Sequence, residues 1–156
     1  MEKQPQSRPV GLFFLTACLV FLIIGAWVGG LNFILDPSGA SMQMDSYVSN
    51  LLVPDYFLPG LFLLVVYGLL PIPLLVALWT RPKLASLQAL SRRFHEHWAW
   101  LLVLGLCLVL IGWLALEVVL LRFMAPIQWV MVVFSLVFLA VIMLPSLRRY
   151  YRAGAE

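Results

Sequence analysis

Residues 9–35 read PVGLFFLTACLVFLIIGAWVGGLNFIL, 27 consecutive positions without a charged side chain. An α-helix rises about 1.5 Å per residue, so roughly 20 apolar residues cross about 30 Å of hydrocarbon. The run between Arg8 and Asp36 suffices for one crossing and is too short for two. Three comparable runs follow: 25 positions between Asp55 and Arg81, 19 between His97 and Glu117, and 25 between Arg122 and Arg148. None alternates polar with apolar residues over about 10 positions, as the strands of a membrane barrel do. The pattern predicts an all-α integral membrane four-helix bundle, a single domain over residues 1–156. Its expected spans are 10–35, 57–79, 98–121 and 127–147, with an external loop at 36–56 and a cytoplasmic loop at 80–97.

Composition agrees with that expectation. Apolar residues make up 63% of the 156 and charged residues only 11%, against about 45–50% and about 25% in soluble domains. An ordinary soluble globule and a disordered segment are excluded. Two cysteines without secreted-type spacing exclude a disulfide scaffold. The first apolar run far exceeds the 7–15 residues or so of a signal-peptide core, so it is expected to remain as an anchor.

The basic residues set the expected orientation. Lys3 and Arg8 precede the first span, Arg81, Lys83, Arg92 and Arg93 join the second to the third, and Arg148, Arg149 and Arg152 follow the fourth. The other side carries only Arg122, beside Asp36, Asp45 and Asp55. Lys and Arg in short loops mark the cytoplasmic side, so both termini are expected there. The net charge of +3 then reports topology and attraction to anionic headgroups, not nucleic-acid binding.

Between the spans, Asp36-Pro37-Ser38-Gly39 is turn chemistry. Asp45 or Ser46 is placed to cap a short interfacial helix presenting Tyr47, Val48, Leu51 and Leu52, stopped by Pro54. Leu84, Leu87, Leu90 and Phe94 recur at helical spacing and predict a second surface helix. The tight link from Arg122 to Pro126 makes the last two spans antiparallel neighbours.

Lipid tails are as apolar as leucine, so close packing and hydrogen bonds hold such helices together. Gly25 with Gly29, Gly60 with Gly68, and Gly105 with Gly112 each share a helix face and admit another backbone. That backbone is a neighbouring span, a partner subunit, or in its place a flat pigment or quinone ring. Pro71 and Pro73 are expected to loosen the second span near its inner end. Ile24-Gly25-Ala26-Trp27 echoes Ile111-Gly112-Trp113, and Leu70-Pro71 echoes Leu144-Pro145, as duplicated hairpins would.

Glu117 is the one carboxylate inside a span, near the outer interface, where burial costs less than at the bilayer centre. Arg122, Gln128, Asn32 and Asp36 fall at similar depth. This candidate ligand-binding cluster suits a lipid headgroup or quinone, or ties helices together as an ion pair. A proton path would need a second, deeper ionisable group, and the spans contain none. His97, at the head of the third span beside Trp98 and Trp100, is a weak candidate ligand for a pigment or metal. His95 lies two positions away and points elsewhere on a helix. Cys18 and Cys107 share a depth but belong to no C-x-x-C pair. No phosphate loop, nucleophile elbow or zinc motif occurs, so no catalytic residue, metal site or required cofactor is expected.

The stretch Pro54-Asp55-Tyr56-Phe57-Leu58-Pro59-Gly60-Leu61-Phe62 and the segment Leu144-Pro145-Ser146-Leu147-Arg148-Arg149-Tyr150-Tyr151 resemble small four-span bacterial membrane proteins without assigned function. The plan is also similar to DoxX-like proteins. The resemblance implies a bacterial inner-membrane location and four helices, and supplies no catalytic residue. The expected function is a non-enzymatic accessory or scaffold subunit, with a protein partner or a second copy packed on glycine-bearing faces. Two alternatives are a lipid- or quinone-binding protein or small enzyme using the outer polar cluster, and an oligomeric small transporter subunit.

Overall fold

The computed structural model describes residues 8–82, 84–121 and 126–152, and every regular element among them is helical. Helix α1 runs Val10–Leu35, entered from extended Pro9. Residues Phe57–Thr80 form one continuous helical rod made of α2 (Phe57–Phe62), a π-helical segment (Leu63–Leu69) and α3 (Pro71–Thr80). Short helix α4 (Gln88–Phe94) leads into α5 (Trp98–Leu121), followed by α6 (Pro126–Ile142) and α7 (Pro145–Arg152).

The helices are apolar on every side, so size and shape select the inner faces. Helix α1 buries Leu12, Leu15, Leu19, Leu22, Ala26 and Gly30 at three- and four-residue spacing, the stripe a helix turns toward its neighbours. Helix α5 buries Ala99, Val103, Leu106, Cys107, Leu110 and Leu114, and α6 contributes Phe138 and Ile142. Helix α1 packs on the Phe57–Thr80 rod, α3 on α5, α5 on α6, and α6 back on α1. The four form a closed ring around one core. Phe14, Ile24, Val133 and Leu136 point outward and are more than half exposed, as residues solvated by lipid would be.

The helix count differs from the expected four. Among the described residues three helices, Val10–Leu35, Phe57–Thr80 and α5, are long and apolar enough to cross a membrane. The expected span 127–147 is instead α6 and α7, bent by 51°. The cause is Pro145, which lacks an N–H and disfavours helical backbone at Leu144. The Leu144 N–H reaches back only to Val141 (3.2 Å), and the ladder restarts with Arg148 N–H on the Leu144 carbonyl (3.0 Å). The 17 residues of α6 rise roughly 25 Å at helical pitch. The count is therefore three, or four if the bent pair is one span.

The loops also differ in detail. The segment 36–56 contains two 3₁₀ turns, Ala40–Met42 and Asp45–Asn50, not an α-helix reaching Leu52. Met44, not Asp45 or Ser46, precedes the second turn, and no side chain caps it. Leu52 is 80% exposed. Tyr56 holds the loop instead. It is buried, stacks on Phe33 at 4.8 Å, donates its hydroxyl to the Met44 carbonyl (3.0 Å) and its N–H to Pro37 (2.9 Å). Gly39 passes over the Tyr56 ring at φ 77, where a Cβ would lie 2.7 Å from ring carbons. In 80–97 the expected surface helix is a 3₁₀ turn (Ala85–Leu87) followed by α4, with Leu84 and Phe94 exposed.

Candidate functional site

Polar side chains gather at the two ends of the ring. At the end carrying the 36–56 loop, the Glu117 carboxylate accepts the Trp113 indole N–H on Oε1 (2.5 Å) and the Gln128 amide on Oε2 (3.4 Å). Trp113 and Glu117 are one turn apart on α5, and Gln128 is buried in the first turns of α6. The Phe62 ring stacks on Trp113 at 4.4 Å and meets Tyr67 edge-on at 5.7 Å, joining the Phe57–Thr80 rod to this cluster. Among the described residues the Tyr67 hydroxyl has no hydrogen-bond partner, and the residue is only 1% exposed.

Of the five expected cluster members, Glu117 and Gln128 meet and two others do not. Asn32 donates to the Val28 carbonyl of its own helix (2.7 Å). Asp36 accepts the Ser38 hydroxyl (2.6 Å) and the Ser41 N–H (2.7 Å), closing the turn after α1. Those hydrogen bonds, the Ser38 hydroxyl foremost, hold its carboxyl below the usual carboxylate range. Arg122 lies outside the described residues. Among those described, no cation pairs with Glu117.

The glycines divide into two groups. Gly30 and Gly60 cross closely, a Cβ on Gly30 meeting the Gly60 carbonyl oxygen at 2.9 Å, and Trp27 covers Gly68 while donating to its carbonyl (3.3 Å). Gly25, Gly105 and Gly112 have nothing within 4 Å of an added Cβ, and Gly29 meets only a Leu63 methyl at 4.0 Å. Among the described residues, Gly25, Gly105 and Gly112 are therefore not points of close helix crossing.

At the opposite, basic end, the structure builds a second cluster. Glu96 is 2% exposed, and its Oε1 receives Arg148 Nε (3.0 Å) and Arg152 (3.1 Å). Tyr151 donates to the Leu78 carbonyl (2.8 Å), Trp100 to the Ile142 carbonyl (3.2 Å), and Arg81 lies over the Tyr150 ring at 4.2 Å. His97 is 3% exposed. Its Nδ1 accepts the Ala99 N–H (3.2 Å) and its carbonyl the Trp100 N–H (3.0 Å), so it caps α5. Burial holds its pKa below the ordinary histidine value, with a smaller push from the Arg81 charge, and hydrogen bonds to the Arg81 and Pro82 backbone oppose them. Among the described residues no three of His, Cys, Asp and Glu converge as metal ligands.

Sequence reasoning missed Glu96 and Tyr67. Glu96 carried a usable signal, an acid between the basic groups at 81–93 and 148–152. Tyr67 carried none, since both helix faces around it are apolar. Comparisons of the chain with protein families, with curated proteins and with solved structures give no match.

Proposed function

We propose that this chain is a non-enzymatic accessory subunit of a bacterial inner-membrane complex, with both termini on the cytoplasmic side. The observation that carries the reading is the open Gly25-x-x-x-Gly29 face of α1. Small residues four apart let two helix backbones approach closely in lipid, where van der Waals contact and not hydrophobicity drives association. Gly30, one position along, is consumed by the crossing with Gly60, while Gly25 meets nothing. The face is flanked by outward Phe21, Ile24 and Val28, side chains that suit the flank of a second apolar helix. A transmembrane helix of a partner subunit is the occupant that this surface fits.

The test is cross-linking in native membranes, then mild-detergent purification and mass analysis. The wild-type chain is expected in a defined stoichiometric assembly. Gly25→Leu should cut its recovery roughly tenfold, about 1.4 kcal/mol of lost packing, with unchanged thermal unfolding. A monomer in native membranes, an assembly indifferent to Gly25→Leu, or association only with a second copy would each sink the proposal.

A further inference from the structure

The basic end of the bundle carries more charge than its own packing uses. Among the described residues it holds seven arginines against one acid, Glu96. Arg8 lies over the Trp79 ring at 4.9 Å and Arg81 over the Tyr150 ring at 4.2 Å, so both are engaged within the fold. Arg148 and Arg152 are placed differently. They stand one turn apart on α7 and converge on a single oxygen, Glu96 Oε1, at 3.0 and 3.1 Å. The acid lies underneath with its side chain 3% exposed, whereas the two arginine side chains are 53% and 59% exposed. Glu96 therefore anchors two surface guanidiniums side by side.

This pairing leaves charge and donors over. One carboxylate balances only one of the two guanidinium charges, and exposed Arg149 between them in sequence adds another. Arg148 gives Glu96 its Nε and Arg152 one Nη, and among the described residues neither guanidinium makes a further hydrogen bond. A guanidinium presents its N–H groups as a planar fork, and the unspent ones match the terminal oxygens of a phosphate. Side chains already held in place lose less freedom when they close on an anion.

The neighbouring surface indicates the source of the phosphate. Met143, at the bend before α7, is 40% exposed, and Val10 is 69% exposed beside Gly11, which packs on Leu147 of α7. The apolar outside of the bundle thus reaches the first turn of α7. A free anion would use the guanidiniums alone. A phospholipid uses both surfaces, its phosphate on the arginines and its acyl chains on the apolar flank. A zwitterionic headgroup would bring its own cation against Arg149.

We infer that Arg148 and Arg152, held by Glu96, bind the phosphate of an anionic phospholipid. The site does not depend on the accessory-subunit reading, since the Gly25 face lies roughly 20 Å along α1 from Gly11. It requires only that the basic end meets a membrane surface.

The experiment titrates the full chain in neutral detergent with phosphatidylglycerol or phosphatidylcholine of equal acyl length and counts bound lipid by native mass spectrometry. One phosphatidylglycerol per chain is expected, bound roughly tenfold more tightly than phosphatidylcholine. Arg148→Lys and Arg152→Lys keep the charge, but one ammonium cannot serve Glu96 and a phosphate as a fork does. Each should weaken phosphatidylglycerol roughly tenfold, whereas Arg93→Gln on α4, which removes a whole charge, should cost less than about twofold. Inorganic phosphate and a poly-glutamate peptide are added as competitors and should leave the lipid in place. The lipid comparison and the competitors act on the unmutated chain, so the test holds even where a variant folds poorly. Equal binding of the two lipids, or an Arg93→Gln loss as large as that of the lysine variants, would overturn the inference. So would displacement by inorganic phosphate, which marks a free-anion site, or by the peptide, which marks an acidic protein partner.

Discussion

His97 shows how one buried side chain can make the fold pH-sensitive. It caps α5 through the Ala99 N–H and is packed beside Trp98 and Tyr151. Its folded pKa lies below the ordinary value of 6.5, chiefly because burial disfavours the imidazolium. The unfolded chain therefore binds the proton first. The stability contributed by neutral His97 is fully present above about pH 6.5 and is lost as pH falls from there through the lower folded value. Melting temperature recorded between pH 7.5 and 5.5 should fall more steeply for the wild type than for His97→Asn, which has no proton to take up. Parallel slopes would remove His97 from the account. Glu117 and Gln128 were legible in the sequence because a polar residue in an apolar run stands out. His97 was legible as a residue of interest, but its role as a cap depends on α5 starting at Trp98 and on Arg81 and Pro82 closing over it.

Among the helices, the glycines and prolines carry the information, and the sequence reveals only half of it. All six glycines of the three expected pairs allow close approach, yet which ones use it depends on how each helix is rotated about its axis. The rotation was not readable, because helices apolar on every face give no amphipathic stripe to follow. The structure separates them by consequence. A Cβ on Gly60 would sit 2.7 Å from Phe33 Cβ and 3.0 Å from the Gly30 oxygen, so Gly60→Ala must push α1 and α2 apart. Its expected cost is about 1–3 kcal/mol. Gly112→Ala meets nothing and should be neutral or stabilising by up to about 1 kcal/mol through helix propensity. Thermal unfolding of the two variants in one detergent checks the contrast, and equal losses would refute the assigned crossing. The prolines were similarly half-legible. Leu70-Pro71 and Leu144-Pro145 each start a new helical segment. Before Pro71 the ladder widens, with Leu70 N–H on the Val65 carbonyl (3.0 Å), and the rod continues. Before Pro145 it tightens and the axis turns by 51°. A seven-residue π segment packed on α1 supports the first; the second is stabilised in its bent form by Tyr151 and Arg148 anchoring α7.

For the molecule as a whole, the informative contact joins Glu96 to Arg148 and Arg152. It brings the 80–97 connector and α7 to one end of the ring, while the 36–56 loop closes the other. The charge asymmetry read from the sequence thus corresponds to a spatial separation between the two ends of the fold. A helix bent after 17 residues still returns the chain to the basic end, so the count of three or four crossings turns on how deep α6 lies in the bilayer. The orientation proposed above makes this measurable. Single cysteines at Ser38, Phe94 and Arg149, introduced after Cys18 and Cys107 are replaced by alanine, should divide into two classes toward an impermeant maleimide. The position 38 thiol should react in intact cells once the outer membrane is opened, and those at 94 and 149 only after the inner membrane is permeabilised. Labelling of 94 and 149 from opposite sides would mean that α6 fails to cross. The Glu96 ion pairs could not then form in the bilayer, because no membrane-spanning core separates groups 3.0 Å apart. The ion pair and the crossing stand or fall together, which makes the depth of α6 a test of the packing as well as of the topology.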